Sequence, residues 1–440
     1  MGESTKPARG MRDFLPDDVR RRKYVIDVIE DVYQRYGYQP LETPAVENIE
    51  TLLGKYGEEG NKLIYKILKR GEHEHTGEAD LALRYDLTVP LARVIAEHRG
   101  TLPRFFKRYQ IQPVWRADRP ARGRFREFYQ CDVDALGSTA PVVEAELCAA
   151  VSDALTELGF ADFKIRLNHR QLLTSILNSV GIPEALHGTA LVAIDKLDKV
   201  GVDGVAAEFE QRGIPVPATT LVDTLRRFQE KPGSMAGAFD DPGEQAWRNV
   251  AQIVYLTVGT SAAKRVELDL SLARGLSYYT GAIMEINVPD LAGSLGGGGR
   301  YDNLVGMFLG QSIPASGFSL GLERILVVMG ERGMFPPSLQ TAPADVLMSV
   351  FDAGDIMHAV RVAGLLRAAG LRVFVYPDAD KIGKQIKYAD ARGIPCVAML
   401  GSDEVAAGTV TVKHLPSKTQ NTYDQASAGA AILEVLTQRG

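Results

Sequence analysis

The sequence predicts an α/β protein in two domains, and three observations carry that prediction. Alternating runs such as FYQCDVDAL and helical-period runs such as Val25, Val28, Ile29 and Val32 interleave through residues 1–335. Between about 170 and 250 this pattern gives way to short helices punctuated by Gly181, Gly201, Gly213 and EKPGSMAGAFDDPG, which reads as a mainly helical insertion. After Pro336, Pro337 and TAP at 341–343, the runs ADVLMSV, a helix through about Arg367, LRVFVYP, a helix from Lys381 and IPCVAMLG alternate as β-α-β-α-β, a compact α/β domain at 342–440.

Taken in order, Asp17 is placed to cap the first helix, and Gly37 sits where that helix would stop after about five turns. GYQPLETPAVENIETLL reads as a short extended run broken by Pro40 and Pro44. IYKILKR follows, and LALRYDLTVPLARVIAEH reads as strand, turn and helix. Two strands joined by a loop around Arg119 to Gly123 are expected in FKRYQIQPVWRADRPARGRFREFYQCDVDAL. On the second of them Gln130, Asp132 and Asp134 fall two apart and share a face. A helix from about Val142 to Leu158 and a strand at FKIRLNH precede the insertion. Strands resume in VELDLSLARGLSYYTGAIMEINV, followed by SGFSLGLERILVVMG. Taken alone, the run Gly296 to Gly299 reads as a loop or tight hairpin.

Composition bounds the function. With 440 residues, 45% of them hydrophobic and 24% charged, the chain can bury more than one core. No stretch approaches the apolar length of a membrane span, and MGESTKPARG lacks the apolar centre of a secretory signal, so no membrane contact and a cytoplasmic setting are expected. Cys131, Cys148 and Cys396 are far apart and unpaired in spacing, which predicts reduced core thiols and no metal site. The net charge of −5 argues against a surface that coats nucleic acid throughout. One local patch stands out: from Arg99 to Arg126 nine cations meet a single acid, Asp118, and interleave with Phe105, Phe106, Tyr109, Trp115, Phe125 and Phe128.

Several residues are candidates for chemistry. Asp86 and Thr88 in RYDLTVP would share a face if the segment is extended, and a helix cap is the other reading. Gln130 and Asp134 put polar groups on an inward strand face, which costs free energy unless a ligand or another side chain satisfies them. Arg274, in LARGLSYYTG beside Tyr278 and Tyr279, suits a phosphate ligand better than a lysine would, because its planar fork grips two oxygens. GGGGRYD lacks the Gly-Lys-Ser/Thr of a phosphate-binding loop.

With these residues in view, the chain resembles the histidyl-tRNA synthetases, class II aminoacyl-tRNA synthetases, over essentially its whole length. LETPAVE resembles the first class II motif, with Pro44 at a dimer-forming junction. VWRAD followed by GRFREFYQ resembles the second, and GFSLGLERI the third. LARGLSYYTG is similar to a segment peculiar to this family, and RYDLTVP and QCDVD resemble its eukaryotic-type members. The resemblance implies an α+β catalytic domain at 1–335, with a mixed, mainly antiparallel sheet flanked by helices, and an anticodon-binding α/β domain at 342–440. It implies that Asp86, Thr88 and Gln130 hold the histidine α-amino group, that Asp134 and Tyr279 address the imidazole beside Tyr278, and that Arg116 and Arg274 flank the α-phosphate and carboxylate. Phe128 would stack on adenine, Asp118 and Arg124 would join the ATP site, and Arg324 would meet the triphosphate tail. Lys381, Lys384 and Lys387, spaced by three, would face tRNA phosphates. ATP, nucleotide-bound Mg2+, L-histidine, tRNA(His) and a second copy of the chain are the implied partners. Ser277 stands where the family usually has aspartate, and Asp118 where glutamate is commoner.

Two alternatives belong beside this reading. Non-catalytic relatives serve as regulatory subunits of ATP phosphoribosyltransferase, but they typically lack the C-terminal domain and lose catalytic arginines. A class II synthetase for proline or threonine is the other, and LARGLSYYTG discriminates against it.

Overall fold

The computed structural model describes residues 5–73, 75–273, 278–339 and 342–437. The chain forms two compact units, 1–335 and 336–440.

The first unit opens with helix α1 (Pro16–Arg35), whose buried side chains include Val25, Ile29 and Val32. Asp17 is not its cap, contrary to expectation. Leu15 takes that place with Pro16 just inside, where a missing N–H costs nothing, and Asp17 and Asp18 lie in the first turn, where acids favour the helix dipole. Tyr36 closes the helix and Gly37 follows at φ +77°.

The strands then run β1 (Gln39–Pro40), β2 (Val46–Asn48), β3 (Lys66–Leu68), β4 (Ala79–Leu83), β5 (Phe106–Trp115), β6 (Glu127–Leu136), β7 (Lys164–His169), β8 (Val266–Leu268), β9 (Ala282–Asn287), β10 (Gly296–Arg300) and β11 (Ala315–Gly321). Eight of them form one sheet in the order β1-β5-β6-β11-β10-β9-β7-β8, antiparallel except at its two ends. β2, β4 and β3 form a small separate sheet.

Period-two alternation divides the large sheet's faces. Tyr109, Cys131, Val133 and Ala135 join the main apolar core with helices α1, Val142–Glu157 and Leu322–Glu331. Arg108, Gln110, Gln130, Asp132 and Asp134 point the other way and are nonetheless buried. That second face therefore carries a layer of polar side chains, and it is where the site lies.

Gly296 to Arg300 is strand β10 in the middle of the sheet, not the loop expected of a glycine run. The neighbouring strand explains the glycines: a Cβ at Gly296 would lie 2.4 Å from the Ser319 carbonyl oxygen, and one at Gly298 would lie 2.1 Å from that of Gly317. Glycine permits this close approach.

The insertion is helical as expected, with helices Arg170–Ser179, His187–Ile194, Leu197–Gln211, Ala218–Glu230 and Asp241–Thr257. Much of it gathers around its own core of Leu172, Ile176, Val205, Leu221, Leu225 and Met235. Gly201, at φ +68°, kinks the third of these helices.

The second unit has five strands: Val346–Met348, Val373–Val375, Cys396–Met399, Thr409–His414 and Thr419–Asp424. The first three are parallel, joined by helices Ile356–Ala368 and Ile382–Ala391, as the alternation predicts. An antiparallel pair extends the sheet. All three cysteines are buried.

Candidate active site

A cleft of about 790 Å3 opens in the first unit over the polar face of the sheet. Asp86, Thr88, Arg116, Asp118, Arg124, Phe128, Gln130, Tyr278, Tyr279 and Arg324 all line it. These residues come from segments as far apart as the β4 loop and the helix after β11, so the fold has assembled them.

At one end, Arg116 follows β5. Its Nε donates to the Tyr85 carbonyl at 2.9 Å, and its guanidinium lies over the Tyr85 ring at 4.3 Å and the Phe128 ring at 5.2 Å. Two aromatic faces thus fix a planar cation without neutralising it. Arg324 sits in the first turn of helix Leu322–Glu331 and donates to the Ser294 carbonyl. Gly123 and Gly293 come close to its side chain. Next to it, Glu323 is buried, paired to Arg22 at 2.8 Å and accepting the Tyr129 N–H at 2.9 Å.

At the other end, Asp86 and Thr88 do not lie on an extended strand. Thr88 begins helix Thr88–Glu97 with Leu87 at its N-cap, and from one residue further back the Asp86 carboxylate caps the first turn, accepting the Val89 N–H at 3.0 Å. The cap also serves the cleft. Asp86 accepts from the Tyr56 hydroxyl at 2.9 Å and the Tyr278 hydroxyl at 3.4 Å, and burial raises its carboxyl above the usual range. Tyr278 and Tyr279 meet edge to face with centroids 5.1 Å apart. Gly299 leaves room for the Tyr279 ring, which a Cβ there would approach to 3.1 Å.

Asp134 behaves differently from the expectation placed on it. Among the described residues it is not part of the cleft wall. Its carboxylate faces Arg108 Nη2 at 2.8 Å and accepts the Tyr301 hydroxyl, while Gly317 opposite leaves room for it. Arg108 is fully buried and lies 3.8 Å from Asp132 as well. The inward polar face is therefore paired here with another side chain, the second of the two possibilities the strand pattern left open. Burial pushes Asp132 up to about 7 and raises Asp134 too, with Arg108 opposing both.

The cation run from Arg99 to Arg126 is not one nucleic-acid face. Arg108 is internal, Lys107 pairs with Glu146 at 2.7 Å, Arg122 pairs with Glu331, and Arg116 turns into the cleft. In the second unit Lys381, Lys384 and Lys387 are exposed at the start of helix Ile382–Ala391, although Lys384 pairs with Asp380. Arg274 and Ser277 lie outside the described residues.

A family model described as histidyl-tRNA synthetase matches residues 10–325. The chain belongs to the histidyl-tRNA synthetase family. A second model, described as an anticodon binding domain, matches 347–435. The chain is 38% identical to a histidine–tRNA ligase of Christiangramia forsetii, covering 96% of this chain and 98% of that one. It is 41% identical to a histidine–tRNA ligase of Gloeobacter violaceus, covering 96% and 97%. A crystal structure of histidyl-tRNA synthetase from Nostoc sp. superposes with a TM-score of 0.78 at 31% identity, covering 98% of this chain and all of that one.

Ser319 and Arg170 of the cleft wall, and Tyr56 behind it, escaped the sequence reading. Ser319 lies in GFSLGLERI but drew no attention as a lone hydroxyl in a strand. Arg170 begins the insertion and lines the cleft, and nothing in its local sequence sets it apart. Tyr56 reaches Asp86 from a short helix, Gly57–Lys62, that it precedes. Only tertiary contact reveals these three.

Proposed function

We propose that this chain activates L-histidine with ATP and transfers it to tRNA(His): ATP + L-histidine + tRNA(His) = AMP + diphosphate + L-histidyl-tRNA(His). The observation that carries this reading is the meeting, in one cleft, of two fixed arginines with a carboxylate, amide and tyrosine cluster. Family membership supplies the context, and it implies the use of ATP.

The reaction joins two anions, so its main need is positive charge held where phosphate charge develops. The histidine carboxylate attacks the α-phosphate, the bond to the leaving diphosphate breaks, and no proton has to move. Arg116, clamped between Tyr85 and Phe128, grips the α-phosphate without having to reorganise, and Arg274 is the second cation assigned to the α-phosphate and the histidine carboxylate. Phe128 stacks on adenine, Arg124 and Asp118 flank the nucleotide, and Arg324 meets the triphosphate tail. A nucleotide-bound Mg2+ would supply further positive charge to the phosphate tail, and Asp118, a cleft carboxylate that suits a hard cation, is the residue that would hold it.

Asp86, Thr88 and Gln130 bind the α-ammonium. Tyr279, with Tyr278 packed against it, addresses the imidazole. Asp134 acts on that end from behind, through Arg108 and Tyr301, and not by direct contact. The second unit, 336–440, reads the anticodon with Lys381, Lys384 and Lys387 near phosphates. Two copies pair across the first-motif segment, where Val46, Leu53 and Leu68 leave apolar side chains exposed. Among the described residues no helix is long and apolar enough to cross a membrane, and the cytoplasm is the setting that suits a partner of tRNA. The regulatory-subunit reading is not favoured, because Arg116 and Arg324 and a second unit are all retained.

Incubating the purified chain with ATP, radiolabelled histidine and total tRNA tests this. Acid-precipitable label on tRNA(His) is the expected result, and label on no tRNA at all contradicts it.

A further inference from the structure

Gln130 lies on the cleft side of β6, 8% exposed, and its Nε2 donates to the Ser319 hydroxyl at 3.0 Å. Its Oε1 is buried and has no hydrogen-bond partner among the described residues. Such an acceptor is costly to leave unmet, so it points to a donor that arrives with a ligand. An amide can present either end, and something must decide which.

Ser319 decides it. In the β6–β11 register Ser319 stands directly opposite Asp132, with the two side chains on one face, so its hydroxyl faces a carboxylate that can take its proton. A hydroxyl has one proton. Once that proton goes to Asp132, the Ser319 oxygen can only accept, so Gln130 must turn its NH2 toward Ser319 and its carbonyl toward the cleft. Burial raises the Asp132 carboxyl, and Arg108, 3.8 Å away, opposes that rise and favours the ionised form that this order requires.

We propose that Asp132 and Ser319 are positioning residues of the amino-acid site: the chain Asp132–Ser319–Gln130 locks the Gln130 amide with Oε1 facing the substrate's α-ammonium. This rests on the assignment of Gln130 to the ammonium made above. An ammonium only donates, so an amide turned the wrong way would offer it NH2 groups and repel it. Among the described residues Ser319 is the hydrogen-bond partner that holds the orientation.

The test uses the full-length protein and calorimetric titration with two ligands, histidine and imidazolepropionate, which has the ring and carboxylate but no amine. Ser319→Ala should weaken histidine about tenfold while leaving imidazolepropionate within about twofold. Ser319→Thr, which keeps the hydroxyl, should restore histidine affinity. In a Gln130→Ala background Ser319→Ala should add nothing, because both act on one contact. Asp132→Asn, whose amide can give a proton to Ser319 as well as accept one, should show part of the same amine-specific loss.

Equal weakening of both ligands by Ser319→Ala overturns the proposal in favour of a general packing role. Unchanged histidine affinity in Ser319→Ala, with Gln130→Ala impaired, overturns the relay and leaves Gln130's assignment standing. Unchanged affinity in Gln130→Ala overturns both, and no histidine binding by the unaltered chain overturns the functional reading itself.

Discussion

Replacing Asp86 with asparagine changes charge while nearly preserving shape, and the structure says what each property does. Asparagine caps helices about as well as aspartate, so the bond from the Val89 N–H at 3.0 Å survives. The amide oxygen still accepts from Tyr56, and the side chain still stands beside the Tyr278 hydroxyl. Stability should therefore change little. The α-ammonium of histidine, however, loses a charge-assisted partner worth about 1.5–3 kcal/mol, or roughly ten- to 150-fold in affinity. Asp86→Ala is the contrast. It loses the cap, about 1 kcal/mol, and leaves two buried tyrosine hydroxyls unmet at about 1–3 kcal/mol each, so roughly 3 kcal/mol or more of stability should go. Urea denaturation and histidine titration on both variants give the answer. Histidine affinity in Asp86→Asn within twofold of the unaltered chain would refute the reasoning, as would an Asp86→Asn midpoint as low as that of Asp86→Ala.

Three further predictions follow from the same geometry. Arg108→Met leaves Asp134 and Asp132 without the guanidinium that faces them at 2.8 and 3.8 Å, and should destabilise the first unit by about 3–5 kcal/mol; a loss under about 1 kcal/mol in urea denaturation would contradict this. Burial raises the Asp132 carboxyl to about 7, against roughly 3.9 unfolded, so the folded state binds its proton more tightly. That contribution to stability is fully present below pH ~4 and lost as pH rises through 7, so Asp132→Asn should gain stability relative to the unaltered chain between pH 4 and 8; parallel stability–pH curves would rule it out. A chain ending at Ser338 should keep histidine-dependent pyrophosphate exchange and charge tRNA poorly, since the first unit holds the whole cleft; unimpaired charging would show that the second unit does not read tRNA.

Much of this architecture was legible in the sequence because periodicity and punctuation are local. The β5 and β6 strands, the loop between them, the Gly37 stop and the helical insertion all follow from spacing. The glycine strand β10 was not legible, because what demands glycine there is a carbonyl oxygen on the neighbouring strand. The same limit explains Asp134. Alternation put Gln130, Asp132 and Asp134 on one face correctly, but it contains nothing about Arg108 and Tyr301, which turn Asp134 from the cleft into a buried network. Asp86 was left open between cap and ligand, and the structure makes it a cap that also faces the cleft. The position of Ser319 opposite Asp132 is a matter of register, which depends on how two strands distant in sequence pair.

The central claim is that this cleft activates histidine and no other amino acid. The most direct measurement is ATP–pyrophosphate exchange with each of the twenty amino acids in turn. Strong exchange with histidine, and exchange at background with the other nineteen, is the predicted result. Exchange driven by proline or threonine, or by none of the twenty, would contradict the account.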